Sequence, residues 1–205
     1  MAFTLYLASA SPRRYQLLQP LGLDVQRVMV AVDETPLADE TPDQYVCRLA
    51  LAKARAGRGV TGLNPQIPVL GADTTVVLDG QIIGKPNHRA EGLAMLARLS
   101  GREHQVLTAV ALVCGEREQL RLQTSQVVFR ELSPAECAAY WATGEPVDKA
   151  GAYGIQGLGA GFVRHLQGSH SGVMGLPLFE TLELLREFGI DRLAAPCHIP
   201  ESGSS

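Results

Sequence analysis

Several residues that could act on a phosphate ester stand where regular structure breaks. Asp73 follows an apolar run, Pro68-Val69-Leu70, and the pair Gly71-Ala72. After it come Thr74 and Thr75, a second apolar run Val76-Val77-Leu78, a turn at Asp79-Gly80, and Lys85-Pro86. This order predicts a buried strand that ends in a carboxylate at its carboxyl end, with a lysine returning nearby. Open α/β sheets take their ligands at that end of their strands. A carboxylate there can activate water or hold a metal, and a lysine can hold a phosphate. Ser9, Ser11, Arg13, Arg14, Glu34, Lys53, Asp148, Lys149 and Gln156 are further polar groups at loops, strand ends or helix ends. Carboxylates that hold a divalent cation, beside lysine and arginine that hold phosphate oxygens, make this a set for phosphate chemistry.

The elements that must position these groups can be read from pattern. Residues 3–8 form a short apolar run suited to a buried strand, broken at Ser9-Ala10-Ser11-Pro12. Ser11 before Pro12 predicts a helix start, with Leu17, Leu18 and Leu21 on its apolar face and Gly22 as its stop. Free N–H groups at a helix start favour an anion. Arg13 and Arg14 there oppose the helix dipole, so they serve either an anion or only the surface. Residues 24–32 read as a second strand through Val25, Val28, Val30 and Val32, ending in Asp33-Glu34. Thr41-Pro42-Asp43-Gln44 is a capping box opening a helix that carries Lys53 and ends near Gly57-Gly59. Spacing alone leaves Lys53 either in the site or on the surface.

Further along, residues 89–99 predict an amphipathic helix, and residues 103–129 two long strands around Gly115-Glu116-Arg117. Ser133-Pro134-Ala135-Glu136 is a second capping box, and Gly144 stops its helix. Five glycines between Gly151 and Gly161 rule out a regular element there. The interleaved Tyr153, Ile155, Leu158 and Phe162 are too apolar for a solvated linker. A short strand at 163–166, a turn at Gly168-Ser169-His170-Ser171-Gly172 and a last helix from Pro177 to Phe188 complete the pattern. The expected fold is α/β, or α+β with a mixed sheet, elongated into two lobes around a central cleft. The expected organisation is one catalytic domain over residues 1–192 and a flexible C-terminal tail over 193–205.

Composition narrows the function. The 205 residues carry a formal charge of −3, which provides no field for nucleic acid or an anionic membrane. Cys47, Cys114, Cys137 and Cys197 form no C-x-x-C pair and read as reduced thiols of a cytoplasmic protein. No apolar run is long enough for a membrane span, and the start of the chain reads as a strand rather than a signal peptide. There is no Walker loop and no G-x-G-x-x-G between a strand and a helix.

Blocks along the chain resemble the Maf family of nucleoside triphosphate pyrophosphatases. They are LYLASASPRR at 5–14, Asp33-Glu34, GADTTVVLDGQIIGKP at 71–86, DKAGAYGIQG at 148–157 and GLPLFETLELL at 175–185. Several separated blocks in order are more specific than any one of them. DKAGAYGIQG is similar to the branch that acts on dTTP and UTP rather than on 7-methyl-GTP. The resemblance implies metal-dependent attack of water that splits the α–β phosphate bond, releasing a nucleoside monophosphate and pyrophosphate. It implies Asp73 as the proton acceptor, and Glu34 with Asp73 as holders of a divalent cation, Mg2+ or Mn2+. It assigns phosphate contact to Ser9, Ser11, Arg13, Arg14, Lys53 and Lys85, and base selectivity to Arg13, Thr74 and Gln156. It is also compatible with a homodimer. Two alternatives use the same residues: a nucleotide-binding regulator of cell division without turnover, and a house-cleaning pyrophosphatase directed at purines.

Overall fold

Seven strands form one mixed sheet in the computed structural model, which describes residues 4–191. They are β1 (Thr4–Ala8), β2 (Asp24–Val28), β3 (Val69–Leu78), β4 (Gln81–Ile83), β5 (Glu103–Cys114), β6 (Arg117–Phe129) and β7 (Val163–Gln167). Their order is β2-β1-β3-β5-β6-β7, with β4 paired to β3 off that path. β1 runs parallel to β2 and β3, and the remaining pairs are antiparallel. The mixed sheet expected from the sequence is therefore present. Both hairpin turns fall where the sequence puts them: Asp79 and Gly80 have φ of 53° and 74°, and Gly115 has φ of 59°. Paired positive φ at Asp-Gly matches the twist of the strands it joins.

Among the described residues, six α-helices pack around the sheet: α1 (Pro12–Leu18), α2 (Pro42–Arg58), α3 (Arg89–Leu99), α4 (Pro134–Ala142), α5 (His170–Met174) and α6 (Leu178–Glu187). Both capping boxes form as expected. Thr41 and Ser133 accept the backbone N–H of Gln44 and Glu136, whose side chains accept back from the cap N–H groups. Ser11 caps α1 by position only, because its hydroxyl makes no capping bond. No helix among the described residues is long and apolar enough to cross a membrane.

Three expectations need correction. Asp73 does not end a strand: β3 runs unbroken through it for ten residues. The parallel pairing with β1 stops at Ala8 opposite Gly71, but β5 pairs β3 from Val69 to Val77 and carries it onward. Asp73 thus sits two positions past the end of β1, where the sheet changes from parallel to antiparallel. Second, β2 stops at Val28 instead of residue 32, since its partner β1 is exhausted at Ala8. Third, the expected turn at residues 168–172 contains the start of α5, with Ser169 accepting the N–H of Gly172 at 3.0 Å. The tail expected from residue 193 lies outside the described residues.

One packing contact positions the site. α2 buries Val46, Ala50 and Ala54 against Val77, Leu107, Ala109, Ala111 and Val113 of the sheet. Each valine or leucine so buried contributes about 1.5–3 kcal/mol, and each alanine methyl about 0.8 kcal/mol. The helix can come this close because position 71 is glycine. A Cβ there would lie 2.4 Å from the Ala50 carbonyl oxygen and 2.5 Å from the Ala54 nitrogen. Seated on that bare backbone, α2 delivers Lys53 to Asp73.

Candidate active site

A cleft of about 1260 Å³ opens at the end of β1. Every candidate residue from the sequence set reaches it: Ser9, Ser11, Arg13, Arg14, Glu34, Lys53, Asp73, Thr74, Lys85, Asp148, Lys149 and Gln156 all line its walls. The apolar sheet supplies the floor, and irregular segments supply the rim.

Asp73 and Glu34 meet on one cation. Lys53 Nζ lies 2.6 Å from Asp73 Oδ1 and 2.6 Å from Glu34 Oε1. Asp73 is only 7% exposed, whereas the side chain of Glu34 is 46% exposed. Burial raises the pKa of Asp73 above the usual carboxylate range, against the pull of Lys53 and Arg14. Partial burial also pushes Glu34 upward, but its bond to Lys53 and the charges of Lys53, Lys85 and Arg14 bring it below its ordinary value. Two neighbouring carboxylates with opposite shifts suit different tasks: the raised one moves a proton, the lowered one stays charged.

The partner acid of Glu34 in the sequence, Asp33, faces away and accepts the Thr35 N–H at 2.9 Å. Glu34 is fixed from α2, where Tyr45 donates its hydroxyl to the Glu34 carbonyl at 3.1 Å. Burial, helped by the charges of Asp73 and Glu34, pushes the Tyr45 hydroxyl up to about 12.

The basic turn splits its two arginines. Arg14 turns inward, donating from Nε to the Gly175 carbonyl at 2.7 Å and from its terminal nitrogens to Ser9 Oγ at 3.3 Å and Thr74 Oγ1 at 3.2 Å. Ser9 Oγ also accepts the Ser11 N–H at 3.1 Å. Arg13 instead reaches across the cleft to Asp148 Oδ2 at 3.3 Å, and Lys149 holds the other oxygen of Asp148 at 2.7 Å. Lys85 stands exposed on the rim, close enough to lower the pKa of Glu34. Gln156 is exposed on the glycine-rich segment and lines the same cleft as Asp73 and Lys53.

Three further side chains belong to the cleft or its support without a pattern in the sequence that marks them. Thr108 is fully buried, donates to the Gly172 carbonyl at 2.8 Å, and lies 3.0 Å from Thr74 Oγ1. With its one proton on that carbonyl, Thr108 accepts from Thr74, which in turn accepts from Arg14. The signal was a lone hydroxyl inside the apolar run of β5. Tyr45 had no signal beyond its apolar helix face, and Glu145 had none.

The donor set can also be tested for a divalent cation. Among the described residues no cluster of three or more His, Cys, Asp or Glu side chains could hold a metal. Two carboxylates nevertheless converge on one point that already carries a positive charge. Mg2+ is ordinarily bound by one or two carboxylates together with substrate phosphates, so Glu34 and Asp73 are of the right donor type, with the Lys53 ammonium standing between them.

Comparison with known proteins covers the segment that carries this cleft. The family model described as Maf-like protein matches residues 4–188. A dTTP/UTP pyrophosphatase of Alkalilimnicola ehrlichii is 56% identical over 190 residues, covering 91% of this chain and 94% of the relative. One of Xanthomonas axonopodis pv. citri is 55% identical, covering 90% and 98%. One of Saccharophagus degradans is 51% identical, covering 91% and 89%.

Proposed function

The chain belongs to the Maf family, and from that premise we propose that it hydrolyses dTTP and UTP to the nucleoside monophosphate and pyrophosphate. The observation that carries this reading is the Glu34–Lys53–Asp73 cluster at the head of the cleft. A buried acid of raised pKa beside a charged acid is what water activation next to a polyphosphate requires.

In this reading the triphosphate lies between the Ser9–Arg14 turn and Lys85. Arg13, Arg14, Lys53 and Lys85 neutralise the charge that builds on departing pyrophosphate. Asp73 takes the proton of the attacking water, whose oxygen bonds to phosphorus as the α–β bridging bond breaks and pyrophosphate leaves with the bond's electron pair. Burial makes Asp73 a stronger base than an ordinary carboxylate. Glu34 and Asp73 would hold Mg2+ or Mn2+, which supplies charge neutralisation and lowers the pKa of water. Gln156 reads the base. Uracil and thymine present an N3–H donor between carbonyl acceptors, and one amide can pair with both kinds of group.

Incubation with the common ribo- and deoxyribonucleoside triphosphates, in Mg2+, in Mn2+ and in chelator, tests this. Pyrophosphate should appear fastest from dTTP and UTP and cease with chelator. Binding of all nucleotides without pyrophosphate release would point to the regulator, and preference for purines to the house-cleaning alternative.

A further inference from the structure

The segment that carries Gln156 is held by side chains rather than by the sheet. Glu145 follows the end of α4, and its carboxylate gathers the segment around itself. Oε1 accepts the Tyr140 hydroxyl at 2.7 Å and the Gly159 N–H at 3.1 Å, while Oε2 accepts the Leu158 N–H at 2.9 Å. The Tyr140 hydroxyl in turn accepts the Gly154 N–H at 3.1 Å. Amides on both sides of Gln156 therefore converge on one Tyr140–Glu145 pair.

The wrap is tight. A Cβ at Gly157 would lie 2.3 Å from Glu145 Oε2, and one at Gly159 would lie 2.6 Å from the Tyr140 hydroxyl. Partial burial raises the pKa of Glu145, but the Tyr140 hydroxyl and the two amides bring it below the ordinary value, so it remains a carboxylate at neutral pH. Lys149 closes the base of the segment, donating to the Glu145 carbonyl at 2.5 Å. Gln156 itself is exposed to the cleft and keeps its amide free of any hydrogen bond among the described residues.

We propose that Glu145 is a positioning residue for base selection: its carboxylate fixes residues 154–159 so that the Gln156 amide is presented to the pyrimidine. This rests on the reading that Gln156 reads the base. A glutamine at 145 would set its own NH2 group against a backbone N–H, so at most one side of the grip survives. Tyr140→Phe removes only the hydroxyl that links Glu145 to Gly154.

The test is kcat/KM for dTTP and for dCTP, whose base reverses the donor and acceptor at N3 and the neighbouring exocyclic group. Glu145→Gln should lower the dTTP:dCTP ratio about tenfold, the equivalent of one charge-assisted hydrogen bond, through KM more than kcat. In a Gln156→Ala background it should lower the ratio no further, because one residue acts through the other. Loss on both nucleotides alike, or a loss that adds to that of Gln156→Ala, would make Glu145 merely structural and overturn the proposal. Should Glu145→Gln fail to fold, Tyr140→Phe carries the same prediction at about threefold, and an unchanged ratio there overturns it. If Gln156→Ala leaves the ratio intact, the base-reading role of Gln156 itself fails, and the proposal falls with it. If Gln156→Ala collapses the ratio while Glu145→Gln does not, only the proposal fails.

Discussion

On one side of the cleft, Lys53 and Asp73 stand on α2 and β3, where backbone hydrogen bonds and a close helix–sheet contact at Gly71 fix them before any ligand arrives. On the other, Gln156 stands on irregular backbone held by the side chains of Tyr140 and Glu145. The first side already pairs its charges, with one lysine shared by two acids. The second leaves its amide unpaired. Proton transfer and charge neutralisation fail if groups drift by an ångström, so they gain from rigid elements. Recognition tolerates a loop, provided something sets the loop, and here buried side chains behind it do so. Tyr153, in the same segment, makes a 2.8 Å buried hydrogen bond with His104 and packs edge-on against His104 and Phe129.

The largest expected effect breaks the charged side alone. Asp73→Asn should lower turnover of every nucleotide by about 10³-fold, within the usual contribution of a general base, and leave the order of preference among nucleotides unchanged. Steady-state kinetics on two nucleotides would check it.

The next effect strikes the support behind the loop. Burial lowers the pKa of His104 to about 4, against an ordinary value of 6.5. The folded protein thus resists protonation that the unfolded chain accepts. Stability is fully present above the unfolded value and is lost as pH falls from about 6.5 towards about 4, by about 3 kcal/mol in all. Denaturant unfolding at a series of pH values should show that slope, and His104→Gln should flatten it. Equal slopes in both proteins would remove His104 as the cause.

The smallest effect sharpens the boundary between the two sides. Thr108 joins Thr74 and, through Gly172, α5. Thr108→Val removes one of the two donors to the Gly172 carbonyl, which keeps the Gly175 N–H, and the acceptor of the Thr74 hydroxyl, and should cost about 0.5–1.5 kcal/mol of unfolding free energy. Thermal or denaturant unfolding would measure it, with kcat on dTTP expected to change far less than in Asp73→Asn.

Much of this was legible in the residues, for stated reasons. Both capping boxes and both hairpin turns depend on local backbone preferences, which a short stretch of sequence carries whole. Asp73 misled because Asp-Thr-Thr looks like a strand end, yet Asp73 and Thr75 are buried at 7% and 3% exposure and the strand continues. The buried acid is paired by Lys53, twenty residues earlier, and that pairing arises only when α2 docks on Gly71. β2 is shorter than its valines suggest because β1 provides no partner beyond Ala8. Glu145 gave no pattern, since its partners are backbone amides that any residue type possesses. Relatives sharing half or more of the sequence supply the activity class, while the distances are the basis of the proposed division of labour between the two sides.

The central claim is that Asp73 activates water beside a bound pyrimidine triphosphate. It is tested most directly by giving dTTP and Mg2+ to the wild-type protein and to Asp73→Asn at equal concentration, and measuring nucleotide binding, dTMP and pyrophosphate in each. The account predicts dTMP and pyrophosphate in equal amounts from the wild type, and from Asp73→Asn retained binding with turnover all but lost. Orthophosphate and dTDP as products, or near-normal turnover in the variant, would contradict it.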